Sequence, residues 1–267
     1  MASVPLKEFA VVKQKLEDFE KTSGARVLFA SVGGSIAYGL NSKSSDVDVK
    51  FVYVYPKDKY LCVESPAEHA NLGDDVNGYE LRHFLKLVRK SVWNIFEMVE
   101  SPYIIIGEEN LEAFKKVVYA FFNRKALVKS MYGMAYETLK KYTKQLEEDD
   151  ILKAVKLILY ALKMSFSALY ISLGGLSSGF PPINFIELME AVKYRNNIPV
   201  GLVKKLVAIK TGKVRELSVN ELKGLANSIY DELEKIEGKF AMLDITDAVK
   251  EKPNAAILDE FFKKFLV

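Results

Sequence analysis

Two aspartates open one of the most β-prone runs of the chain: "SSDVDVKFVYVYP" sets Asp46 and Asp48 directly before an apolar strand pattern. An unpaired carboxylate taken out of water is costly, so the pair needs either a cation or an open cleft. Along an extended segment, residues two apart point to one side. Asp46 and Asp48 therefore project together, while Val47 and Val49 turn to the opposite layer. Paired carboxylate oxygens suit Mg²⁺, with Mn²⁺ as a substitute. Upstream, "SVGGSIAYG" carries Gly33, Gly34 and Ser35 out of one extended run and into a helix-like segment. Backbone N–H groups at such a turn can take phosphate oxygens, and glycines let a phosphate approach closely. Ser35 adds a hydroxyl donor. Singly, each signal is weak, since "GGS" is an ordinary turn and a DxD is common on solvated strand edges. In this order they supply an anion cradle and a metal-binding pair, the needs of a nucleoside triphosphate bound with Mg²⁺.

The elements that must hold these groups follow from periodicity. Residues from about Leu6 to Lys21 show helical spacing, "RVLFASV" reads as a strand, and "DVDVKFVYVYP" as a second strand stopped by Pro56. A third extended piece is expected near "EHANLGDDVNGY", leading into the helix "ELRHFLKLVRKSVWNIFEMV". This order predicts an α/β (α+β) fold, a mixed sheet with helices packed on it. From about Tyr103 the strand signal fades and long periodic segments follow, among them "KAVKLILYALKMSFSALYI" and "NAAILDEFFKKFL". A boundary near Pro102 is expected, with residues 1–102 carrying the chemistry and 103–267 forming an all-helical domain.

Bulk properties narrow the classes. The 267 residues are 49% hydrophobic and 27% charged with a net charge of +3, the balance of a folded soluble protein. No stretch approaches roughly 20 continuous apolar residues, so no membrane partner is expected. The N-terminus lacks a secretory h-region, which with the single Cys62 points to a reducing cytoplasm. One cysteine and two histidines, His69 and His83, argue against a Cys/His zinc site. His83 reads as packing or surface, and Trp93 and the "YAFF" run as core.

The stretch "GGSIAYGLNSKSSDVDVKFVYV" resembles the signature of the DNA polymerase beta nucleotidyltransferase superfamily. The fuller likeness is to its RlaP-like branch, predicted nucleotidyltransferases linked to RNA repair. It continues through "PKDKYL", "DVNGYELRHFLKLVRKS", "NIFEMVESPYII" and "PPINFIELM", up to about Met189. The resemblance implies transfer of a nucleoside monophosphate from an NTP to a hydroxyl, releasing pyrophosphate. The acceptor would be an RNA 3′ end, a protein or a small molecule. It assigns Gly34 and Ser35 to the triphosphate and Asp46 and Asp48 to metal. Asp75 is the best match for a third carboxylate, ahead of Asp74 and Glu80. Lys156 and Lys163, which share a helical face with Tyr160, are expected to contact nucleotide. Arg82, Lys86, Arg89 and Lys90 read first as a solvated helix face. Two departures stand out: Ile36 follows Ser35 where the branch often has Arg, and Lys50 replaces an Arg, keeping charge but losing bidentate geometry. The rival reading is a non-catalytic module of the same fold that binds nucleic acid or a protein.

Overall fold

Phe9, Val12, Leu16 and Phe19 recur at helical spacing and become the apolar stripe of α1 (Leu6–Ser23), laid on one face of a sheet. The computed structural model describes residues 6–42, 45–147, 150–174, 180–213, 217–240, 243 and 254–266. These residues form two compact units. One holds residues 6–38, 45–122 and 254–266, and the other holds 39–42 and 123–243.

The first unit is built on a five-stranded mixed sheet in the order β3-β4-β2-β1-β5. Its strands are β1 (Arg26–Val32), β2 (Val49–Val54), β3 (His69–Asn71), β4 (Val76–Glu80) and β5 (Ile104–Ile106). β1 pairs antiparallel with both β2 and β5, β2 runs parallel to β4, and β3 with β4 forms an antiparallel hairpin. Between β1 and β2 comes a single helical turn, α2 (Gly34–Ala37). The second sheet face carries α3 (Leu81–Arg89), α4 (Trp93–Glu100), α5 (Leu111–Ala120) and the last helix, α11 (Ala256–Phe265). Phe114 joins these layers: its ring stacks on Phe29 at 5.3 Å and meets Phe84, Phe261 and Phe265 at 5.2–5.8 Å.

Three expectations change here. The extended piece near Ala70 is two strands, because the Gly73–Asp74–Asp75 turn reverses the chain. β5 lies beyond the residue where the strand signal fades; Ile104–Ile106 is too short to show a pattern, and pairing with β1 decides its conformation. The sheet-bearing unit therefore runs past Pro102 to Phe122 and takes back the C-terminal helix.

The second unit is helical: α6 (Arg124–Glu147), α7 (Ile151–Gly174), α8 (Phe185–Val192), α9 (Val200–Lys210) and α10 (Val219–Glu237). Its helix ends are capped by side chains. Asn184 accepts from the first N–H groups of α8, Ser218 and Glu221 form a reciprocal capping box on α10, and Arg124 donates to the final carbonyls of α7. By length and composition alone α7 is long and apolar enough to cross a membrane, although Lys153, Lys156 and Lys163 interrupt its apolar run. It is also the central helix of this unit, with 67% of its apolar window buried.

Candidate active site

The parallel pairing of β2 with β4 sets the geometry. Val49 pairs with Val76, and Val49 N–H donates to the carbonyl of Asp75 at 3.0 Å. Asp48 and Asp75 each stand one residue before that pair, so they lie side by side at the same end of adjacent strands. The turn after β1 is tied to the same point, because Gly33 N–H donates to the carbonyl of Asp48 at 2.9 Å. Gly34 has φ of +59°, and a Cβ there would fall 1.8 Å from Asp48 Oδ2. Only glycine allows both this backbone conformation and this approach.

The Asp48 carboxyl is pushed above its ordinary 3.8. Burial is the largest cause, the negative charge of Asp75 adds to it, Lys50 opposes it, and Glu97 and Asp46 raise it further. Three other acidic groups thus act on Asp48. Asp46 and Asp75 are exposed and Asp48 is half-buried. All three come from loop: β2 begins at Val49, so Asp46 and Asp48 sit on its lead-in and not within the strand as expected. Asp74 and Asp75 both adopt left-handed backbone, φ +46° and +59°, a region in which Asp is enriched among non-glycine residues. A cavity of about 530 Å³ opens beside them, lined by Glu8, Lys15, Asp46, Asp74 and Asp75 among others.

The two alternatives to Asp75 are engaged elsewhere. Asp74 forms an ion pair with Lys15 at 2.6 Å, which holds its carboxyl below the usual range. Glu80 is buried at the far end of β4, where it caps α3 by accepting from Arg82 N–H and His83 N–H at 2.9 and 3.1 Å and takes the Tyr60 hydroxyl at 2.6 Å. Arg82 lies over the rings of Tyr60 and Phe262. Ser35 is half-buried in the single turn of α2 beside Gly34.

Lys156 and Lys163 do not share an open face. Lys156 is exposed on α7, whereas Lys163 is fully buried and its ammonium donates to the Pro182 carbonyl at 2.8 Å. Helical spacing placed them together, but α7 is covered on so much of its surface that Lys163 falls inside.

Glu97 was not singled out in the sequence. It is 4% exposed, accepts a short hydrogen bond from the Tyr38 hydroxyl, and faces Lys50 Nζ at 3.5 Å. Its carboxyl also lies against Gly33. The available signal is one acid inside the apolar helix "WNIFEMV", where a buried charge needs partners.

Comparison with known proteins bears on this arrangement. The profile of the RlaP family, described as an RNA repair pathway DNA polymerase beta family, matches residues 10–264. The chain belongs to the RlaP family. The match runs well past Met189, where the sequence resemblance stops, and takes in α11. A curated relative, the uncharacterized protein YcgL of Bacillus subtilis (strain 168), is 28% identical over 183 residues, 66% of either chain. The chain thus spans about two thirds of that relative's length. A nucleotidyltransferase-like protein from Exiguobacterium sibiricum 255-15, known by crystal structure, is similar over 95% of this chain and 91% of its own. The two are 11% identical with a TM-score of 0.40. As a member of the RlaP family the chain belongs to a DNA polymerase beta family, and its five-stranded mixed sheet with packed helices is an α+β fold.

Proposed function

We propose that this RlaP family member transfers a nucleoside monophosphate from an NTP to a hydroxyl acceptor, releasing pyrophosphate, at Asp46, Asp48 and Asp75. The observation carrying this reading is the parallel register that sets Asp48 beside Asp75, with Gly34 pressed against the Asp48 carboxylate. The donor set fits a hard divalent cation, Mg²⁺ or Mn²⁺. It is all oxygen, and the Asp48 carboxyl, raised first by burial and then by the negative charge of Asp75, is one whose ionised form a cation would favour. Such a cation, when bound, supplies charge neutralisation for the triphosphate and acidifies the attacking hydroxyl.

The residues of the chain do the rest. Asp46 and Asp48 hold the ion, and Asp75, exposed at the mouth, completes the ligand set and accepts the acceptor's hydroxyl proton. Gly34 leaves room for the departing phosphates, Ser35 hydrogen-bonds their oxygens, and Glu97 positions Lys50 and Tyr38 behind the site. The family's description in terms of RNA repair favours an RNA 3′ hydroxyl as acceptor; a protein or small-molecule hydroxyl would undergo the same chemistry.

Incubation with Mg²⁺, each α-labelled NTP in turn, and RNA, protein or small-molecule acceptors tests the reading. Labelled product and pyrophosphate are expected with the wild type. Asp48→Asn should lower the rate on the order of 100-fold or more, as expected when several kcal/mol of charge stabilisation is lost. Full activity in Asp48→Asn overturns the assignment. Absence of both product and NTP binding overturns the reaction in favour of a non-catalytic module.

A further inference from the structure

The two histidines of the chain, fourteen positions apart in sequence (83 − 69), are neighbours in space. Their rings lie 4.4 Å apart, and with Glu68 they offer three ligand atoms all within 4.8 Å of one another. The fold sets up this meeting. Glu80 N–H donates to the Glu68 carbonyl at 3.0 Å, and His69 pairs with Tyr79, so the β3–β4 ladder holds Glu68 and His69 beside the β4–α3 junction. Glu80 then caps α3, and His83 emerges from its first turn, back toward β3. The Tyr79 ring, 5.8 Å from His69 and 6.0 Å from His83, walls the pair on one side.

The unsatisfied atom is His83 Nδ1. It is buried and lies 3.0 Å from Glu68 Oε2, a pairing that needs a protonated imidazole, and it has no other hydrogen-bond partner among the described residues. Buried polar nitrogens are nearly always satisfied, by protein, water or an ion. Glu68 Oε1 is held by Lys86 at 2.6 Å, so the second carboxylate oxygen faces the imidazoles.

We propose that Glu68, His69 and His83 form a three-ligand site for a borderline divalent cation of the zinc type, separate from the acidic cluster. Two imidazoles and one carboxylate suit Zn²⁺ or Co²⁺ rather than Mg²⁺. Bond lengths of about 2.0–2.2 Å to these donors put tetrahedral ligand atoms roughly 3.3 Å apart. The Glu68–His83 separation already meets this, and exposed His69 closes the remainder by turning inward. The site lies at the far end of β4 from Asp75, about 13 Å along the strand at the usual rise per residue. Its occupant would clamp the edge strand β3 to the start of α3. Sequence counting argued against a Cys/His zinc site for want of ligands; Glu68 supplies the third, and the fourth position is open to solvent.

Titration of the full-length protein with Zn²⁺ in excess Mg²⁺, which occupies carboxylate sites but not imidazoles, tests this. Calorimetry should give one bound equivalent. Affinity should fall about tenfold or more in His69→Ala, His83→Ala and Glu68→Gln, and rise in Lys86→Ala, which removes a competing cation. Unchanged binding in the histidine variants, or no binding by the wild type, overturns the site. Should a variant fold poorly, the wild type alone decides. Its two histidines give two imidazole Hε1 resonances, and both should shift at one equivalent of Zn²⁺. If either stays in place, the three-ligand site is wrong.

Discussion

Removing the charge of Asp48 should spare the fold while it stops the chemistry. Because its folded-state pKa is raised, ionised Asp48 is less favourable in the native protein than in the unfolded chain. The native state then binds more protons in the window just above 3.8, and stability from this group falls as pH rises through that window. Without divalent cations, Asp48→Asn should therefore melt no lower than the wild type at neutral pH, and the gap between them should close as the solution is acidified below that window. Calorimetry across pH checks both the sign and the window. Gly34→Ala should behave oppositely. Its Cβ would strike Asp48 Oδ2 and its backbone would be strained at φ +59°, so both activity and stability fall, the latter by about 1 kcal/mol or more. Asp46, Asp48 and Gly34 stand out in sequence because polar or flexible residues interrupt β-prone runs. Glu97 shows in sequence only as one acid in an apolar helix, and its role is not legible there because its partners, Tyr38 and Lys50, come from far along the chain.

A strand-to-helix junction shows what an element demands of one side chain. Glu80 reads in sequence as a spare carboxylate near Asp75, but the first N–H groups of α3 need an acceptor there. Glu80→Ala should cost about 1–2 kcal/mol from the lost cap alone, and more because Tyr60 loses its partner. Urea unfolding measures it. The long amphipathic helices and the two central strands were legible because each repeats its pattern over several turns or alternations. β3 and β5, three residues each, carry too little pattern and exist through the strands beside them. The same reasoning explains Lys163: spacing gives its angle on α7, whereas burial depends on which helices cover that angle.

At the scale of the whole molecule, ligand binding should be readable as stability. An NTP with Mg²⁺ at 100 times its Kd should add about 2.7 kcal/mol to the unit that binds it. A shift of several degrees in thermal unfolding should appear in the wild type and vanish in Asp48→Asn. Fold class was legible from the order of elements, but the division of the chain was not, because composition changes near Pro102 while packing changes elsewhere. A helix at the very end of the sequence closes the sheet: Phe261 and Phe265 reach Phe114, Phe262 reaches Tyr60, and Arg26 donates to the Phe265 carbonyl at 2.8 Å. During synthesis, then, the sheet-bearing unit starts to emerge before the helical one yet can be completed only after it. Its aromatic face waits uncovered until α11 has been made, so a nonsense mutation just before Ala256 should spare the helical unit and leave the sheet-bearing one sticky and incomplete.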